Sequence, residues 1–142
     1  MFVMTRSATA QTLSVTGIYR LPPPGPLPPP GAPGPLPNAA KFANTESTSI
    51  DDRLLICALP ACVMPGKISM STGDEISAGG PAGGGGVISG KFAGPAQATR
   101  GSSKLFVGGK PVVRQCDPMM HDSGNASGSA LAPAQTLFSV AS

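Results

Sequence analysis

The sequence predicts a small all-β unit of short strands, and three observations carry that expectation. The 142 residues include 19 glycines and 17 prolines, about a quarter of the chain and roughly twice ordinary usage, which leaves little room for long helices. Apolar residues come in pieces of three or four bounded by Gly or Pro, the pattern of brief strands between turns. Aromatic residues are 4% of the chain, Trp is absent and Tyr19 is the single tyrosine. Thin layers held by backbone hydrogen bonds are expected where so few large side chains exist to fill a thick core.

A chain of this length is one ordinary domain, which argues against a two-domain enzyme with a cleft between its halves. The net charge of +3 comes from cations scattered from Arg6 to Arg114, with no adjacent Lys or Arg run and no interleaved aromatics. That is a weakly basic solvated surface and not a nucleic-acid stripe. Residues 1–15 alternate Ser, Thr, Ala and Gln without the apolar stretch of a secretory signal, so export by the general route is not expected. The uncharged residues after 123 are too polar to span a bilayer, and a soluble protein without stable membrane insertion is expected. Three cysteines, an odd number, fit synthesis in a reducing cytosol better than a disulfide framework.

Along the chain, residues 22–37 hold ten prolines, a density that locks φ and removes amide donors, so an extended polyproline-type strap is expected. The pieces 47–56 and 60–70 read as brief strands around a turn at residues 58–60. Residues 79–90 contain seven glycines, a density that suits a floppy linker and equally a place where backbone turns tightly or packs against backbone. Lys104-Leu105-Phe106-Val107 leads into Gly108-Gly109, a preferred hairpin turn, and residues 110–114 lead out. Residues 54–62 and 105–113 share a pattern of three apolar residues, a turn, a proline and an exit strand. Pro60 and Pro111 lie 51 positions apart, the mark of a weak internal duplication.

Five pieces in order then carry a family likeness: Pro35-Leu36-Pro37-Asn38-Ala39-Ala40, Ser71-Thr72-Gly73-Asp74-Glu75, residues 84–91, Val107-Gly108-Gly109-Lys110-Pro111-Val112-Val113-Arg114, and Asp117 with His121 and Gly124-Asn125. The chain resembles PAAR-like (proline-alanine-alanine-arginine) proteins over about residues 20–126, with Pro111-Val112-Val113-Arg114 in the eponymous slot. The resemblance implies a small conical β-structure, with residues 1–19 as an N-terminal arm and 127–142 as a tail. It implies a tip that caps the trimeric valine-glycine-repeat spike of a type VI secretion system or a related contractile injection machine. Such a tip would be a monomer on a trimer, made in the bacterial cytoplasm and secreted by the machine, with effector proteins as further partners. Leu55, Phe106 and Val107, on the two hairpins, are the candidate spike-binding residues.

Members of the usual kind resemble zinc proteins, with a Cys near the start of the proline-rich segment and a His cluster at the end. Here Ile18, Tyr19 and Arg20 surround the place of that Cys, and Gln115 and Ser123 stand where His is common. Cys116 and His121 remain as candidate zinc ligands. A replacement set of Cys57, Cys62, Cys116 and His121 is the rival reading, because each pair skips four residues. The duplication weighs against it: Cys57 corresponds to the turn residue Gly108, and Cys62 lies three residues, about 10 Å of strand, from the position equivalent to Cys116. The ordinary readings are apolar filler for Cys57 and Cys62 and a hydrogen-bonded histidine for His121.

Catalysis is not expected. The sole sequence-near nucleophile set, Cys116 with His121 and Asp117 or Asp122, sits in a Pro-containing loop of a small chain. Asp74 and Glu75 are neighbours whose side chains diverge, and Asp74 is expected to accept backbone amides at a turn. The glycine tract lacks the ending of a phosphate loop. The competing function, from a different class, is a flexible proline-rich adaptor that folds on a partner. Circular dichroism separates the two: a tip gives a β-rich signal with a cooperative melt, and a polyproline or coil signal without a transition would refute it.

Overall fold

A computed structural model describes residues 1–21, 32–78 and 84–141. The protein is all-β, as expected, and helical backbone among the described residues is confined to single 3₁₀ turns such as Glu75–Ala78 and Asp122–Gly124. No helix among these residues is long and apolar enough to cross a membrane. The strands are β1 (Gln11–Ser14), β2 (Ile18–Arg20), β3 (Pro33–Pro35), β4 (Asn38–Lys41), β5 (Ile50–Ile56), β6 (Leu59–Cys62), β7 (Gly85–Gly86), β8 (Ala96–Ala98), β9 (Phe106–Val107), β10 (Lys110–Pro111), β11 (Pro118–His121) and β12 (Ala126–Ala132).

A five-stranded antiparallel sheet in the order β4-β1-β12-β11-β8 curls into a half-barrel. The segments expected as arm and tail supply β1 and β12, so they stand in the middle of this sheet. Their composition hides them: β12 is Ala-Ser-Gly-Ser-Ala-Leu-Ala, with none of the β-branched or aromatic residues that mark strands. What favours pairing is that small side chains let the backbones approach while hydroxyls cap neighbouring carbonyls. Thr12 Oγ1 donates to Ser129 O at 2.9 Å and Ser14 Oγ to Ser127 O at 2.6 Å, which satisfies these buried polar groups.

The described part of the proline-rich segment is not only a strap. Pro33–Pro35 forms β3 beside β2, with β7 on the other side. Prolines are tolerated here because β3 is a sheet edge, and the flanking amides of Leu21 and Leu36 donate to Ala32 O and Gly17 O. Residues 22–31, and residues 79–83 of the glycine tract, lie outside the described residues.

The two expected hairpins are β5–β6 and β9–β10. Both turn through two left-handed residues, Cys57 and Ala58 (φ 53° and 62°) and Gly108 and Gly109 (φ 58° and 76°). The first turn therefore lies at residues 57–58, one step before the position expected, and it forces non-glycine residues into a conformation they disfavour. Ile56 pairs with Leu59 as Val107 pairs with Lys110, so the 51-residue offset is real structural equivalence.

A third segment joins these two. Met4 N–H donates to Val113 O (2.9 Å), Val113 N–H to Cys62 O (2.8 Å) and Cys62 N–H to Met4 O (2.9 Å), a closed cycle. A second cycle surrounds it: Arg6 N–H to Pro60 O, Met64 N–H to Pro111 O and Gln115 N–H to Phe2 O, at 2.8–3.0 Å. Residues 2–6, 60–64 and 111–115 are thus equivalent in a quasi-threefold ring, and their bridges Thr5 with Ala61, Val63 with Val112 and Val3 with Arg114 repeat the same rule. Because strand side chains alternate, Val3, Ala61 and Val112 enter one buried cluster with Ile56 and Val107. Met4, Cys62 and Val113 enter a second with Phe42, Ile68 and Met119.

Gly128 on β12 tests how tightly the half-barrel is wound. A Cβ there would lie 2.3 Å from the carbonyl oxygen of Leu13, which backbone cannot avoid without shifting. Gly128→Ala is expected to lower the unfolding free energy by about 1–3 kcal/mol, read from the urea midpoint; an unchanged midpoint would show that β1 and β12 are not in close contact.

Candidate functional site

The ring carries three corners on the side of the Val3, Ala61 and Val112 cluster. Two are the hairpins β5–β6 and β9–β10. The third is made by residues far apart in sequence: Phe2 pairs with Ser139, Met1 N donates to Val140 O at 2.9 Å, and Val140 N–H donates to Met1 O at 2.8 Å. By these pairings Val140 is equivalent to Ile56 and Val107, and Ser139 to Leu55 and Phe106.

Leu55 and Phe106 therefore occupy matching positions, and both point outward, 56% and 53% exposed. Val107, named with them as a candidate contact, is equivalent to Ile56 and faces inward with only 9% exposure; its place is the core beneath the corner. Alternation along the strand decides this, since neighbours cannot share a face.

Two buried polar groups pin the third corner. Gln135 Oε1 accepts from the amides of Leu137 and Phe138, while its Nε2 donates to Val3 O and Phe138 O. Arg114, the last residue of Pro111-Val112-Val113-Arg114, is 3% exposed. Its Nη2 meets Asp117 Oδ1 at 3.0 Å and its Nη1 donates to Ala141 O at 3.1 Å. A buried ion pair of this kind is costly to break from one side, because the partner charge is left without compensation. Composition treats Arg114 as one more surface cation, and nothing in the sequence short of its place in the motif distinguishes it.

The far side of the Met4, Cys62 and Val113 cluster is polar. The Asn38 Nδ2 donates to Ser71 Oγ (2.8 Å) and Asp122 Oδ2 (3.0 Å), leaving Asn38 Oδ1 to accept from His121 Nδ1. His121 Nε2 lies 3.0 Å from Thr12 Oγ1. Asp122 also accepts from Tyr19 Oη and, at 2.7 Å, from Gly94 N–H. The glycine tract closes against the same end: Gly86 runs so near Asn125 that a Cβ would meet its amide at 2.1 Å. Asp74 accepts the Ala93 amide with both oxygens, at 3.2 and 3.1 Å, so it binds backbone as expected, though from a distant loop.

Residues 20–128 match the family described as Toxin PAAR-like domain (Tox-PAAR-like). The chain belongs to this family. No curated protein and no solved structure matches it. In this PAAR-like protein the eponymous slot thus coincides with one third of the ring, and its final Arg114 is the residue that ties the ring to the third corner.

The zinc site that the likeness implies does not fit these residues. Among the described residues no three His, Cys, Asp or Glu side chains gather as a ligand group. Cys116 is exposed and separated from His121 by the length of β11, about 13 Å of extended chain. Both ring nitrogens of His121 already have partners. Cys57 is exposed at its turn, contrary to its reading as buried filler, while Cys62 is buried. Burial pushes the Cys62 thiol up to about 12, which keeps it a protonated apolar filler.

Burial also sets how this polar end responds to pH. Burial first, and the adjacent Asp122 carboxyl second, push Asp74 up to about 6. Its folded state holds the proton more tightly than the unfolded chain, so that stabilisation is complete below about pH 4 and is lost as pH rises through 6. Burial pushes His121 down to about 4, against the pull of Asp122, so its contribution is present above about 6.5 and is lost as pH falls through 4. The two oppose one another. Asp74→Asn leaves His121 alone, and the variant's unfolding free energy should rise between pH 4 and 6 more steeply than the wild type's, by up to about 1.4 kcal/mol per pH unit. Parallel profiles in urea titrations would show that Asp74 does not titrate in this window.

Proposed function

We propose that this PAAR-like protein is a structural tip that caps and sharpens the trimeric valine-glycine-repeat spike of a type VI secretion system or a related contractile injection machine. The observation that supports this most is the quasi-threefold ring of residues 2–6, 60–64 and 111–115. The blunt end of a trimer offers three copies of one patch at equal angles, and a single chain meets all three alike only if it presents three similar corners. Leu55 and Phe106 stand at two matching corners as half-exposed apolar side chains, each worth about 1 kcal/mol if the exposed half is buried against the partner.

In this reading the protein acts mechanically and sterically, as a monomer on a trimer, with no catalytic step. It is made in the bacterial cytoplasm and leaves with the spike, aiding membrane puncture, and its outer surface carries effector proteins. Short strands suit a piercing element, since a long open edge is a point of failure and of aggregation.

Co-purification with a cognate valine-glycine-repeat spike trimer tests it. The wild-type chain is expected to remain bound through size exclusion, and Phe106→Asp and Leu55→Asp to be lost from the complex while keeping wild-type circular dichroism, because each would bury an unpaired charge. Failure of the wild type to bind would overturn the function. Undiminished binding of either variant would remove that corner from the interface.

A further inference from the structure

We propose that Tyr19, Asn38, His121 and Asp122 form a metal-free staple, a buried hydrogen-bonded cluster that ties β2, β4 and the end of β11 together where the family likeness implies zinc. Tyr19 is one of the three residues, with Ile18 and Arg20, around the place of the implied cysteine, and His121 is the one histidine of the chain. The same regions of chain are therefore joined, by a different chemistry. The inference stands apart from the spike reading.

The acceptor capacity of Asp122 is taken up without an ion. An ionised carboxylate offers about four acceptor positions. Asp122 meets Tyr19 Oη, Asn38 Nδ2, Gly94 N–H and, at 3.2 Å, Ser71 Oγ. His121 Nδ1–H donates to Asn38 Oδ1, and the Thr12 hydroxyl, 3.0 Å from Nε2 and 2.9 Å from Ser129 O, shares its one proton between those two acceptors. Tyr19, Asn38, His121 and Asp122 are all fully buried. A divalent cation entering here would have to displace at least one of these bonds at each ligand it recruited, and it would find no thiolate to bind.

Two further features show that the chain is arranged around the cluster. Asp122 and Ser123 both adopt left-handed backbone (φ 50° and 57°), which non-glycine residues disfavour and which persists where surrounding contacts hold it. Burial and the neighbouring Asp122 also push the Tyr19 hydroxyl above its ordinary range, which keeps it a hydrogen-bond donor and not a phenolate ligand. The cluster links positions up to 103 residues apart, so it closes long loops much as a metal would.

The experiment uses the untagged full chain expressed in zinc-supplemented medium. Metal analysis is expected to find far less than one zinc per chain, and neither EDTA nor added zinc should shift the melting temperature. Tyr19→Phe and Asp122→Asn should each lower it by about 4 °C or more, and the double variant by clearly less than the sum, because both remove one shared bond. If Asp122→Asn does not fold, Tyr19→Phe with Asn38→Ala tests instead whether the two donors that meet on Asp122 Oδ2 are coupled, and non-additive losses are again expected. Stoichiometric zinc, or a melting temperature lowered by EDTA, would overturn the staple. So would additive or silent substitutions.

Discussion

Met4, Cys62 and Val113 donate and accept in a cycle, each amide bonded to the carbonyl of the segment before it. The three segments come from residues 2–6, 60–64 and 111–115; the second and third emerge from the hairpins β5–β6 and β9–β10, while the first has its partner at residues 138–140, at the other end of the chain. The amides of Met4, Cys62, Val113, Arg6, Met64 and Gln115 find their carbonyls only if the neighbouring segments are in place, and buried amides without partners cost free energy comparable to a lost hydrogen bond. The rest of the molecule follows from that closure. Consecutive residues on each segment alternate into two apolar clusters, so the ring is the sheet of contact between them, and two hairpins together with the pairing of residues 1–2 and 139–140 are carried to its three corners.

On one side of the ring the apolar clusters end in exposed corners; on the other they end in a buried polar cluster. The two ends solve opposite problems. The corners leave Leu55 and Phe106 in water, a cost that a partner surface would reverse. The polar end has small residues and close backbones but no apolar side chains large enough to fill it, and it holds β2, β4 and β11 by hydrogen bonds instead. Glycine serves this end where nothing larger fits, as at Gly86 against Asn125. Hydroxyls on β1 perform the same service along the half-barrel, where Thr12 and Ser14 cap carbonyls of β12.

Much of the hairpin architecture was legible in the chain. Gly108-Gly109 announces its turn because glycine is the default where φ must be positive, and the 51-residue offset pointed to β5–β6, although Cys57 and Ala58 make the same turn with no glycine to mark it. The five ordered pieces that carry the family likeness were also legible. β1 and β12 were not: strand signals are read from β-branched and aromatic residues, and in Gln-Thr-Leu-Ser and Ala-Ser-Gly-Ser-Ala-Leu-Ala only Thr12 is one of these. Cys116 and His121 looked like a pair by spacing, yet β11 lies between them. Val107 sat beside Phe106 in an apolar run, and only the register of β9 against β10 turns one inward and the other outward.

By itself the sequence determined that the protein is all-β, made of short strands, built on a repeated hairpin and a member of the PAAR-like group. These follow from backbone preferences of Gly and Pro and from local apolar patterning, which act within a few residues. Only the tertiary structure decided that residues 2–6 complete the repeat as a third segment, that residues 138–140 furnish its corner, and that Tyr19 meets Asp122 beside His121. Those pairings span up to 139 positions, and their free energy comes from mutual closure of backbone and buried polar groups, a property no local stretch of the chain possesses.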